Sequence, residues 1–168
     1  MVLQLKPKRG GFLRPFGCGI FIRDFLLGAA LFGSQTINPD TGSTQADIFR
    51  NYKQAIIRET AMDRAVRTEE KKARKEKRHI NPDNIENLYK LHLKRLPYKA
   101  QGARYHSFVT YFSDLQKLGW VEPTGEEKHS AFQDNYPKGQ PRKYFRLTAD
   151  GIAAPDSAWA NPHKALYG

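Results

Sequence analysis

The sequence predicts a mainly α-helical chain with one small β-hairpin near its C-terminal end. Three observations carry this. Apolar residues recur at three- and four-residue steps over long stretches, first at Ile48, Phe49, Tyr52, Ile56, Ile57 and Met62 and again at Ile85, Leu88, Tyr89, Leu91 and Leu96. That spacing is the helical period. Strand-like patterning is confined to Trp120-Val121-Glu122 and to Lys143–Leu147, where Tyr144 and Arg146 alternate with Phe145 and Leu147. Helix starts and stops are written in as Asn81-Pro82, Gly119 and the proline at 97.

Taken in order, residues 1–15 read as a basic arm, with Lys6, Lys8, Arg9 and Arg14 among Gly and Pro. Such arms either lie in a DNA minor groove or remain disordered tails. The apolar run from Phe16 to Phe32 resembles the core of a secretory signal, but Arg23-Asp24 interrupts it. The same pair argues against a membrane span, which needs about 20 nearly uncharged residues. The expectation is a buried helix over Ile20–Phe32, apolar nearly all round and suited to a core or a dimer interface. Turn residues fill 34–44.

One long helix is expected from Ala46 to Lys77, with Ser43 or Thr44 as its N-cap. Its first half carries the apolar stripe. After Val66 the stripe fades and the helix projects into solvent, with Glu70 and Arg74 placed for an i,i+4 pair. Lys71, Lys72, Arg74, Lys75, Lys77 and Arg78 are dense enough there to track a phosphate backbone. A solvated spacer or one strand of a coiled coil would look the same, although no sustained heptads support a leucine zipper.

A short strand is expected at Ile80–Pro82. A helix capped by Asn81 follows and ends before the proline at 97, and after the turn YKAQG a second helix spans Ala103–Leu118. Two helices across a short turn make a helix-turn-helix. On the second, Tyr105, Phe108, Phe112 and Leu115 fall on one side, and Tyr111 and Leu118 lie at the edges. His106, Thr110, Ser113 and Lys117 fall opposite, as short polar groups suited to a major groove. Gly119 closes this helix. The segment 123–141 is a long loop between paired strands, and long loops are disproportionately functional. The expected organisation is an arm (1–15), a helical region with the long basic helix (16–79), a winged helix-turn-helix (80–152) and a short tail (153–168).

Of the 168 residues, 28 are Lys or Arg and 17 are Asp or Glu, a net charge of +11. That excess favours polyanionic partners. The single Cys18 excludes an internal disulfide framework, and the five histidines are too scattered for a metal site. Asp24, Asp47, Glu59 and Asp63 make no acid–base or metal pair, and no phosphate-binding glycine loop or nucleophile elbow is present. No catalysis and no cofactor are therefore expected.

The helix end LQKLGWVE (Leu115–Glu122) and the return strand YFRLTADG (Tyr144–Gly151) resemble winged helix-turn-helix transcription regulators of the MarR and PadR type. The resemblance covers about 80–151, under half the chain. In those families a leucine-rich recognition helix runs into Gly and a hydrophobic strand, and the wing closes on Leu-Thr-x-x-Gly, here Leu147-Thr148-Ala149-Asp150-Gly151. It implies a prokaryotic or viral regulator that binds double-stranded DNA, located in the cytoplasm with the nucleoid and not on a membrane. By position it places Lys99, Gln101, Arg104, His106, Ser107 and Thr110 on the recognition side, where the helical angles add Lys117, and Lys138, Arg142 and Lys143 on the wing. Two departures stand out. PadR-like chains continue into dimerising helices after the wing, whereas Pro155 and Pro162 punctuate a short tail here, so a homodimer would use the N-terminal helices. The long basic helix is also not a standard part of these families. The alternatives are a winged helix used for protein assembly, or an RNA-binding module.

Overall fold

The computed structural model describes residues 17–31, 33–96, 105–128 and 142–168, with the backbone alone at Tyr105, His106 and Lys128. In chain order the elements are α1 (Cys18–Leu26), β1 (Ser43–Thr44), α2 (Gln45–Glu76), α3 (Pro82–Arg95), α4 (Tyr105–Lys117), β2 (Val121–Lys128), β3 (Arg142–Leu147), α5 (Ala149–Ala153), α6 (Asp156–Ala160) and α7 (Pro162–Tyr167). The protein is mainly helical with a small three-stranded antiparallel sheet of order β1-β3-β2. Two compact units divide the chain. One, the sheet unit, comprises Phe16–Tyr52 and Ala103–Gly168; the other, the helical unit, includes Lys53–Gly102. The first eight residues of α2 belong to the sheet unit and the rest to the helical unit.

In the sheet unit an aromatic ladder fixes α4 against its neighbours. Phe108 meets Phe49 of α2 at 5.1 Å and Phe112 at 6.1 Å, and Phe112 meets Phe145 of β3 edge-on at 5.0 Å. Phe108, Phe112 and Leu115 are all buried, as their i, i+4, i+7 spacing requires. On α1, Phe21 stacks on Phe25 and tilts against Tyr52. This helix stops at Leu26, six residues short of the expected Phe32. Gly28 adopts φ +90° and its N–H returns to the Phe25 carbonyl, a left-handed exit that ends the helix.

Thr44 serves two elements. It pairs with Tyr144 in the sheet, and its hydroxyl caps α2 by accepting from the Asp47 N–H at 3.2 Å. On the other side of β3, Val121 faces Leu147 and Pro123 faces Phe145, and the register slips between Pro123 and Glu127. Gly125 lies in that bulge at φ +93°.

The Leu-Thr-x-x-Gly turn has a physical explanation. The Thr148 hydroxyl accepts from the Gly151 N–H at 3.0 Å and so caps α5, and it donates to the Gly119 carbonyl. The Thr148 N–H bonds the Trp120 carbonyl, which ties the end of β3 to the chain before β2. At Gly151 a Cβ would lie 2.3 Å from the Trp120 carbonyl oxygen. Gly151→Ala is therefore expected to lower stability by about 1–3 kcal/mol, the usual range for overpacking, measured as a shift in the urea midpoint.

Residues 153–168, expected as a tail, hold the end of α5 and the whole of α6 and α7. Helix α6 packs on α1, and α7 packs on α4. Trp159 is fully buried, lies 4.7 Å from Trp120, and donates its indole N–H to the Gly151 carbonyl at 2.9 Å.

In the helical unit α2 runs unbroken to Glu76, then turns through Lys77 at φ +52°. The Arg78 N–H reaches the Ala73 carbonyl and the Lys77 N–H reaches that of Arg74, the two bonds of a Schellman turn. Asn81 caps α3 by accepting from the Asp83 N–H, with Pro82 at the first helical position. The strand expected at Ile80–Pro82 is not formed: Pro82 already belongs to the helix, and Ile80 is exposed without a sheet partner. The two helices expected to make a helix-turn-helix, α3 and α4, fall in different units, and the turn between them lies outside the described residues.

Candidate nucleic-acid interface

Helix α4 is held on two sides. The aromatic ladder takes one face. On the flank, the Tyr111 hydroxyl donates to the Trp159 carbonyl at 3.3 Å, and buried Asp114 lies 3.4 Å from the ring Nδ1 of His163 on α7. Burial, with Cys18 nearby, pushes the Tyr111 hydroxyl far above its usual range, so it remains a neutral donor. What remains outward is Val109, Thr110, Gln116 and Lys117, with Ser107 exposed nearer the N-terminus and Ser113 half-buried.

The expected site residues divide as follows. Ser107, Thr110 and Lys117 are exposed on α4, and His106 lies in its first turn. Lys143 is exposed on β3 opposite Glu127, and Arg142 is half-buried opposite Lys128. Lys99, Gln101, Arg104 and Lys138 lie outside the described residues. Gln116 and Val109 are the residues of this face that periodicity does not pick out. Gln116 sits near the edge of the helix by angle, about 80° from Phe108, where periodicity does not decide burial.

The hairpin is not uniformly basic. Its strand β2 carries Glu122, Glu126 and Glu127 against Arg142, Lys143 and Arg146 on β3, and Arg146 is paired with Glu122 at 3.1 Å. This balance extends to the whole unit. The sequence ranges of the sheet unit carry ten Lys/Arg and ten Asp/Glu. Residues 53–102 carry fourteen against seven, and residues 1–15 carry four against none. The excess positive charge therefore lies entirely outside the sheet unit's sequence.

Within the helical unit Arg67 pairs with Asp63 at 3.0 Å, and Arg78 is neutralised more completely. Glu69 is fully buried and accepts from Arg78 at 2.7 and 3.2 Å, from the Asn81 N–H at 3.1 Å and from the Asn84 amide at 3.2 and 3.3 Å. The Arg78 guanidinium is the main reason its carboxyl is held down at about 2. Arg78 also pairs with Glu76 at 2.6 Å. The expected Glu70–Arg74 ion pair does not form. Burial, with Arg64 and Arg95 close by, lowers the pKa of His92, which adds no charge at neutral pH.

A cavity of about 230 Å³ in the sheet unit is lined by Gln35, Ser43, Asp47, Arg50, Asn51 and Tyr144 among others. Several of its polar groups already bond one another: Asn51 accepts from the Gln35 N–H and donates to the Asp47 carbonyl, and Arg50 pairs with Asp47. Among the described residues no cluster of three or more His, Cys, Asp or Glu is placed to hold a metal, and no helix is long and apolar enough to cross a membrane. Comparison with protein-family models, curated proteins and solved structures finds no match for this chain.

Proposed function

We propose that this chain is a sequence-specific duplex-DNA-binding protein of winged-helix type, acting as a transcription regulator. The observation that carries the proposal is the outer face of α4. It is a rigidly braced helix presenting Thr110, Gln116 and Lys117 beside a β-hairpin. A helix packed on one face and mainly polar on the other, with Val109 its apolar exception, is the form that enters a major groove. The order of elements supports the same reading. A helix, a short strand and a second helix precede α4, and the short strand pairs on the far side of the returning hairpin strand. In this reading the helix that precedes α4 in the wing fold is the start of α2, and α3 stands outside it.

Base readout falls to α4, and Arg142 and Lys143 at the start of β3 meet the DNA backbone. A homodimer through the N-terminal helices would draw on α2, because α1 already buries Phe21, Ile22, Phe25 and Leu26 within its own unit. The even charge of the sheet unit favours a second reading, in which the wing fold docks a protein partner. Selection of bound oligonucleotides from a random pool, at two salt concentrations, separates the two. The DNA reading expects an enriched motif that changes when Thr110 and Gln116 are replaced by Ala. Removing one side chain that reads a base is expected to cost about 1–3 kcal/mol of discrimination at that position. A pool that stays random sinks it.

A further inference from the structure

From the charge and geometry of α2 we infer a second nucleic-acid contact, in which Lys71, Lys72, Arg74, Lys75 and Lys77 bind the phosphodiester backbone and supply most of the chain's affinity for a duplex. The inference rests on the reading of the chain as a duplex binder and adds where its attraction for phosphate resides.

All five side chains are exposed, and none forms an ion pair among the described residues. At about 100° per residue, positions 71, 72, 74 and 75 fall within an arc of about 160°. Ala73, which is buried, points opposite the centre of that arc. The cations therefore share the outer side of one helix.

Folding alone does not explain the cluster. Lys71 and Lys75 are four apart, and Lys71–Arg74 and Lys72–Lys75 are three apart, spacings at which like charges repel. Lys77 occupies a left-handed position at φ +52°, where glycine or asparagine is the less strained choice. A lysine there keeps a charged side chain at the tip of the turn. The contrast with Arg78 is direct. That arginine turns inward onto Glu69 and Glu76, and the outward cations are left without carboxylates.

The partner follows from charge complementarity. A duplex presents one negative charge about every 1.7 Å of its axis. Residues 71–75 extend about 6 Å along α2 and Lys77 follows in the turn at its end, enough to face several phosphates. The sheet unit, with equal numbers of acidic and basic residues, offers no comparable field.

The test uses the full chain and short duplexes of DNA and of RNA, followed by fluorescence anisotropy over a series of KCl concentrations. The variant Lys71→Gln/Lys72→Gln/Lys75→Gln is expected to bind every sequence at least about tenfold more weakly at low salt. The slope of log affinity against log salt should fall by about 2–3, near one unit per phosphate neutralised. The charge-preserving Lys71→Arg/Lys72→Arg/Lys75→Arg should bind as the parent does. Weaker binding of both nucleic acids assigns the shared backbone, and weaker binding of one names the source. An unchanged slope overturns the inference, as does equally weak binding by the Arg variant, which would trace the effect to folding. Thr110→Ala/Gln116→Ala is run on the same duplexes. If it leaves sequence preference intact while the lysine variant binds more weakly, the reading of α4 fails and this one stands; the reverse result sinks this one alone.

Discussion

Replacing Trp159 with alanine is expected to lower the unfolding free energy of the sheet unit by about 3–5 kcal/mol, the range for deleting a buried aromatic. Trp159 is fully buried, and the helix that carries it packs on α1. Its ring lies against Trp120, its N–H bonds the Gly151 carbonyl, and its own carbonyl accepts from Tyr111. The alanine variant leaves a cavity and strands the Gly151 carbonyl. Urea unfolding followed by the fluorescence of the remaining tryptophan measures the effect. Trp159→Phe, which fills most of the volume but lacks the donor, should fall between the two. If Trp159→Ala unfolds at the parent midpoint, the C-terminal helices are an appendage and the packing argument is wrong.

The second large effect is expected at Glu69. Its carboxyl is held at about 2, below the ordinary 4.5, chiefly by Arg78 with help from Asn81 and Asn84. A carboxyl lowered in the folded state contributes stability that is fully present above pH 4.5. That contribution is lost as the pH falls through 4.5 toward 2. Glu69→Gln removes the charge and leaves the Arg78 guanidinium to Glu76 alone, with buried donors that one amide oxygen cannot satisfy. The variant should be less stable at neutral pH. The difference between parent and variant should shrink steadily on acidification, read from helical circular dichroism in urea. A difference that stays constant down to pH 2 would mean that Glu69 does not titrate as this network requires.

What the sequence made legible was periodic or capped. Helix α2 was expected over Ala46–Lys77 and spans Gln45–Glu76, because a 32-residue run of helix formers leaves few alternatives. Asn81 and Gly119 act as read, each through its backbone geometry. On α4, Phe108, Phe112 and Leu115 are buried, and Thr110 and Lys117 are exposed.

What was not legible lacked a period. Strand β1 is two residues long, and Ser43 and Thr44 show no alternation at that length. Helices α6 and α7 run five and six residues, under two turns, so no apolar stripe can form. One signal was present: Asn161-Pro162 repeats the cap of Asn81-Pro82, and Asn161 does accept from the Lys164 N–H. The site was blurred for a different reason. Net charge is a sum over the chain and hides the contrast between 53–102 and the sheet unit. Arg78 counts as a free cation in sequence, and only the fold shows that Glu69 and Glu76 neutralise it.

The sheet order has a consequence for how the chain is made. Ser43 pairs with Phe145, and among the described residues β1 pairs with no strand but β3. About a hundred residues must be brought round before that pairing exists, a closure whose entropic cost is met before any contact rewards it. Helix α2 and the turn that binds Glu69 to Asn84 need only their own neighbours in sequence. A nascent chain can thus complete the basic end of α2 and the turn that follows it while the sheet waits for its last strand, and no fragment ending before Arg142 can hold β1 in place.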